Sequence, residues 1–373
     1  MKVDVFKQYI AQTKRILELS SLRLDGIQDE EAYRLALLKS FQEIGELSDA
    51  NNQLLEKYFH PIINDPDMLT IENINVMREF SSLLVDATTM EGIDLPLLQR
   101  MAEKLLEKAE KLDDLRMKIL ALDSVVISSY MMVNLTTRLY PEFDYCFRYR
   151  DIGLNAANQL LEYLDKDRFN ELPDTECKEL VVINSRYIRS LFDWDDIEDK
   201  RARNIKDIEM MERALEIGRD PFYTEQLPNH PWVIHRFRTL QYLADFTEYH
   251  NAHQFSFEQC QKLLTYTKEM LDYIKQHPEL EDSCPIEEQD FLLARNRYFG
   301  GEIDLETYKK ELLRIIDRTN PLDVDARGMY INVVVPYEYI LSLDKNNLTA
   351  EEGQRLTAIY NGLISYVYRM SKT

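Results

Sequence analysis

The chain has 373 residues, 45% hydrophobic and 30% charged, which is enough apolar material for a sizeable core and too much for a disordered chain. Its 66 acidic against 45 basic residues leave a net charge of −21, which repels nucleic acid and anionic membrane surfaces and excludes both as expected partners. Only 10 glycines, well below the usual ~7%, argue against glycine-rich phosphate loops, while four separated cysteines without a CxxC argue for reduced thiols in a cytoplasmic protein, not for a disulfide framework or zinc site.

Taken in order, nearly every segment has helical periodicity and none has convincing strand alternation. The start, MKVDVFKQYIAQTKRIL, is amphipathic and lacks the apolar run of a signal peptide. Without secretion, the glycosylation patterns at Asn134 and Asn347 carry no meaning. Glu30 to Tyr58 predicts a helix capped by Asp29 and carrying Leu37, Phe41, Ile44 and Leu47. The turn HPIINDPD closes that unit. Glu72 to Met90 predicts another helix, and Asp94 caps the next, with Pro96 in its first turn. Residues 1–110 are expected to form an N-terminal helical subdomain and residues 111–373 a region of helical repeats.

The stretch from Ile119 to Leu135, ILALDSVVISSYMMVNL, is apolar nearly all the way round a helix. A membrane span needs roughly 20 apolar residues. Here Asp123, Ser124, Ser128, Ser129 and Asn134 interrupt the run, which favours a helix buried between others. Asp123 is expected to pair with an arginine of a neighbouring helix, and Met131 and Met132 to fill core space.

From Asp113 a rhythm of pairs emerges. First helices, rich in aromatics with Asn or Arg, are expected near 115–139, 177–193, 231–250, 287–299 and 326–343. Second helices, with cleaner amphipathic stripes, are expected near 143–165, 200–217, 255–276, 304–318 and 349–370. In one of these, Phe257, Cys260, Leu264, Thr267, Leu271 and Ile274 form one expected buried seam. Turn chemistry between the pairs sits at 170–174, 227–231, 281–285 and 319–323.

Two second helices are alike, DIGLNAANQLLEYLDKDRF from Asp151 and DIEMMERALEIGRDPF from Asp207. Small Ala157 and Ala214 precede a leucine, and an aromatic, Phe169 or Phe222, follows each helix. On these residues the region 113–370 resembles the tetratricopeptide-like α-solenoids, although the spacing is irregular and mostly longer than the 34-residue unit, whose Trp-Leu-Gly-Tyr pattern is absent. The resemblance implies an all-α, right-handed superhelix of stacked antiparallel helix pairs. The alternative is an irregular all-α domain. From FQEIGELSDANNQLLEKYF to the last helix, the chain is also similar to the helical N-terminal regulatory regions of bacterial cyclic-dinucleotide signalling proteins of the GGDEF or HD-GYP type.

The motifs that carry chemistry mostly fail their own requirements. Gly300-Gly301-Glu302-Ile303-Asp304 differs from a GGDEF signature at its last positions and reads as a turn, with Gly300 or Gly301 ending one helix and Asp304 capping the next. His250 and His253 stand i,i+3 without a third metal ligand and suit a helix end better. Neither HExxH nor GxSxG occurs.

One pattern remains. The first helices gather Asn184, Arg186, His235, Arg238, Asn296 and Asn332. In solenoids such helices line the concave face, where amides can bond a peptide backbone in both senses and arginines can fork onto carboxylates. The alternative is that these residues pair with acids of neighbouring helices. The expectation is a non-enzymatic regulatory, sensor or protein-interaction module of a bacterial signalling protein. It would bind a peptide or protein, need no cofactor or metal, and relay to a C-terminal output domain. A stand-alone peptide-binding receptor and a helical enzyme with an unrecognised site are the alternatives. The last helix, capped by Thr349 and striped by Leu356, Ile359, Leu363, Tyr366 and Met370, has no Gly or Pro stop. It can pass a motion onward, pair with its twin in a homodimer, or close the stack.

Overall fold

The computed structural model describes residues 3–20, 29–59, 114–139, 145–192, 200–246, 255–319, 329–344 and 348–370, with isolated positions at 103–110 and 252. Among the described residues every regular element is helical and none is a strand, so the fold is all-α. The expected helices at 72–90 and after Asp94, the HPIINDPD turn, and the side chains of Met131, Met132, Tyr366 and Met370 lie outside the described residues, as do His250 and His253. The expected division after residue 110 adjoins positions that also lie outside them.

The chain divides into two compact units, Met1–Asp195 with Glu225–Pro228, and Asp196–Thr224 with Asn229–Thr373. In the first unit, α1 (Val3–Ser20) packs on α2 (Glu30–Leu54), which continues into a π turn at Leu55–Phe59. Tyr9, Thr13, Ile16 and Leu19, spaced four and three apart, are the buried stripe of α1. Asp29 caps α2 by accepting from the Glu31 amide at 3.1 Å. Beyond these, α3 (Leu115–Leu139) packs against both α4 (Tyr145–Leu161) and α6 (Thr175–Phe192), with the short α5 (Lys166–Glu171) between the latter two. Ile119, Leu120, Ala121 and Leu122 are all fully buried. Four consecutive positions step right round a helix, so α3 is covered on every side there.

Two of the polar interruptions of α3 are hydrogen-bonded as follows. The Ser124 hydroxyl donates to the Leu120 carbonyl at 2.9 Å. Asp123 accepts from the Asn184 side-chain amide of α6 at 2.7 Å. Among the described residues no helix is long and apolar enough to cross a membrane.

The second unit runs through α7 (Lys200–Arg219), α8 (Pro221–Gln226, in part), α9 (Trp232–Asp245), α10 (Phe257–Gln276), α11 (Ile286–Phe299), α12 (Leu305–Arg318), α13 (Val335–Asp344) and α14 (Ala350–Met370). Each of α9, α10, α11 and α12 packs against the next, α7 packs against α9, and α12 also packs against α13. A 3-10 helix at Pro278–Ser283 occupies part of the expected 281–285 turn. Cys260, Leu264, Thr267 and Ile274 lie in the buried seam of α10 as expected, joined by Leu263, Met270 and Tyr273. Phe257, expected there too, is instead exposed at the helix start, against Gly301.

The α11–α12 turn follows its sequence chemistry closely. The Glu302 amide donates to the Arg297 carbonyl at 2.8 Å and the Gly301 amide to the Tyr298 carbonyl at 3.0 Å. That pattern is a Schellman stop, with Gly301 in the left-handed region at φ 75°. Asp304 then caps α12 by accepting from the Thr307 amide at 2.8 Å. A Gly301→Ala variant should lose roughly 1 kcal/mol from the backbone alone. The added Cβ would also meet the Phe257 ring, which can swing into solvent. Urea unfolding checks this, and an unchanged midpoint would contradict it.

The start of α14 is fastened by charge. Thr349 and Glu352 form a reciprocal capping pair, the Thr349 amide donating to Glu352 at 2.8 Å and the Glu352 amide to Thr349 Oγ1 at 3.2 Å. The nearly buried Lys309 ammonium of α12 lies 2.7 Å from the same carboxylate. The Lys309 bond, followed by the Thr349 amide, lowers the Glu352 carboxyl to about 2. Its folded value is thus depressed, so its contribution is complete above the ordinary carboxyl range of about 4.3 and is lost as pH falls toward 2. Unfolding midpoints between pH 5 and about 2 should fall less steeply in Glu352→Gln than in the parent, and parallel curves would contradict the assignment.

Candidate functional site

The residues expected to line a peptide groove are largely built into the packing. Asn184 is fully buried on α6, its amide donating to Asp123 and, at 2.8 Å, to the Leu180 carbonyl. Arg186, on the same helix, is half-buried. These two belong to the first unit and the other four to the second. His235 is fully buried on α9, with Nε2 3.0 Å from the Ala214 carbonyl of α7, which assigns the ring proton to Nε2. Its ring lies against Gly218, where an added Cβ would come within 3.1 Å. Arg238 is half-buried and donates to Gln241 at 2.8 Å.

Asn296, fully buried on α11, donates to the Ala244 carbonyl at 3.0 Å and to Thr267 Oγ1 at 2.5 Å, so one amide joins α9, α10 and α11. Its neighbour Arg295 reaches the same Ala244 carbonyl at 2.8 Å. Asn332 is buried in the π turn Tyr330–Val334 before α13. Pro336, four residues on, has no amide to return to the Asn332 carbonyl, and the chain widens into a π turn where the α ladder would fail. Buried amides and imidazoles of this kind tie helices together, because each occupies a backbone carbonyl or side chain of the adjoining helix.

Cys177, Cys260 and Cys284 are buried and joined in no disulfide. Burial, with Asp174 beside it, pushes the Cys177 thiol up to about 12. Among the described residues no group of three or more His, Cys, Asp or Glu is placed to hold a metal ion.

Among the described residues of the second unit, one accessible cleft lies between two second helices. Ile205, Ile208, Glu209 and Glu212 of α7 face Gln259, Lys262 and Leu263 of α10 across a cleft of about 130 Å³. The helices present these side chains because Ile208, Glu212 and Ile205 on α7, and Gln259, Lys262 and Leu263 on α10, are spaced three and four apart. α9 packs against both α7 and α10 and so holds them.

Glu212 is the best-supported group of the cleft. Its side chain is 17% exposed, its Oε1 lies 2.5 Å from the Lys262 ammonium, and the same oxygen accepts from the Tyr266 hydroxyl at 3.1 Å. Burial, and then the charge of Glu212, push the Tyr266 hydroxyl up to about 12, so it stays a neutral donor. Gln259 is held by the capping box of α10, where it accepts from the Ser256 amide at 2.8 Å. Farther along α10, Glu269 receives Arg219 of α7 and Arg236 of α9 on one oxygen. Burial alone would raise the Glu269 carboxyl, but the two guanidinium bonds outweigh it and hold the group below its ordinary range. Arg236 in turn lies over the Tyr273 ring at 4.8 Å.

Sequence reading passed over Glu209 and Glu212 because acids on the exposed side of an amphipathic helix are ordinary. Their one signal is their spacing of three beside Ile205 and Ile208. The cleft is therefore a small, apolar-walled slot with a braced carboxylate, suited to binding and orienting a side chain. Comparison of the chain with protein-family models, with curated proteins and with solved structures finds no match.

Proposed function

We propose that the chain is a regulatory protein-interaction module of a cytoplasmic bacterial signalling protein, which binds a peptide or protein partner and relays that event toward an output domain. In this reading the helix pairs stack as a right-handed, tetratricopeptide-like superhelix. The observation that carries the reading is the cleft between α7 and α10, an accessible slot whose carboxylate is braced by the surrounding helices. The all-α packing of successive helices supports it, since such stacks present repeated inter-helix slots. The last helix, α14, with Tyr360 and Ile364 exposed, suits an onward relay or a pairing with a second copy.

The test is selection of the whole chain against a displayed library of random peptides. A family of related sequences should be enriched, and their binding should weaken in a Glu212→Gln, Glu209→Gln variant. Absence of enrichment over an unrelated helical protein would contradict the reading, as would enriched peptides that bind the variant equally well.

A further inference from the structure

The geometry points to a lysine-recognition site: the cleft between α7 and α10 takes the side chain of a lysine on a partner protein, its stem between Ile205, Ile208 and Leu263 and its ammonium on Glu212 and Glu209. This inference rests on the reading of the chain as a partner-binding module, since a partner must bring the lysine.

Three observations converge on it. The first is charge. Two carboxylates face one lysine in the cleft, so among the described lining residues acid exceeds base by one charge, in a chain of net charge −21. Both contacts of Glu212 fall on Oε1, and Oε2 has no hydrogen-bond partner among the described residues. The exposed Glu209 carboxylate likewise has none among them. The second is shape. The cleft is small, about 130 Å³, and an unbranched four-carbon stem can lie along its apolar side chains. The apolar walls cover such a stem while the charged head keeps polar company.

The third is precedent within the molecule. The cation that Glu212 holds now is a primary ammonium, that of Lys262, on a side chain 54% exposed and therefore able to swing away. An incoming lysine would replace it charge for charge on a carboxylate already held by Tyr266. Lys262 thus competes with the partner and sets the affinity. The net acidity of the chain steers basic partners toward it and gives the association a salt dependence.

The experiment is a methyl nuclear-magnetic-resonance titration of the whole chain, labelled at isoleucine and leucine, with n-butylammonium chloride as the lysine side-chain probe. Sodium butyrate and sodium chloride at equal ionic strength are the controls. Saturable shifts at the Ile205, Ile208 and Leu263 methyls with the amine alone, and none at the remote Ile119 and Leu312 methyls, are expected. Glu212→Gln, which keeps an acceptor for Tyr266, should weaken the amine at least five-fold. The surface change Lys262→Met should tighten it, because the internal competitor is gone.

Shifts that match sodium chloride, or an affinity unchanged in Glu212→Gln, would overturn the proposal. So would tighter binding of n-butylguanidinium than of n-butylammonium, because arginine would then be the preferred side chain. The titration needs no partner, so the two readings fail separately. Amine binding without any selected peptide would sink the interaction module and leave the ammonium site. Selected peptides without lysine, and no amine response, would do the reverse.

Discussion

Replacing Arg295 by alanine is expected to destabilise the second unit by roughly 3 kcal/mol, the usual cost of emptying a buried large side chain. Arg295 is 2% exposed, one of the largest fully buried side chains. Its guanidinium donates to the Ala244 carbonyl, lies 3.8 Å from Asp245 and sits over the Phe291 ring at 5.3 Å. Truncation removes the stem packing, the charged bond and the ring contact together. Arg295→Met keeps much of the stem, and the Ala244 carbonyl keeps its Asn296 donor, so that variant should lose only about 1 kcal/mol. Urea unfolding followed by helical circular dichroism measures both. Equal losses in the two variants would show that packing around the stem is unimportant.

The second large effect is expected at Asn184. Asn184→Leu removes a donor from the buried Asp123 carboxylate and should cost about 2–3 kcal/mol. Asp123→Leu alone should cost less, because Asn184 retains the Leu180 carbonyl. The double variant replaces both polar partners by apolar groups of similar size and should recover part of the loss. Strictly additive losses in the three variants would contradict a direct coupling between the two side chains.

Helix positions were the most legible feature of the chain, because apolar spacing and capping are local. The caps at Asp29, Asp304 and Thr349 and the stop at Gly301 needed only neighbours in sequence. The fate of polar groups on the first helices was not legible. An asparagine offers the same donors to a bound peptide and to the carbonyl of an adjoining helix, and spacing does not say which it meets. Asn184 and Asn296 meet helices. Phe257 followed the seam in register, yet it lies at the exposed first turn of α10.

The cleft was hidden for a different reason. Glu212 and Lys262 come from helices 50 residues apart, and only the packing of α9 against both helices sets them face to face. Each helix alone presents nothing but an ordinary polar side. What sequence did convey was the acidity of the chain, two of whose carboxylates, Glu209 and Glu212, line the slot.

The central claim, that the slot between α7 and α10 is where a partner docks, is tested most directly by amide hydrogen exchange of the whole chain with and without a saturating selected peptide. The account predicts added protection concentrated in Lys200–Arg219 and Phe257–Gln276, with the buried helix Leu115–Leu139 unchanged. Protection confined to segments other than those two helices would contradict it.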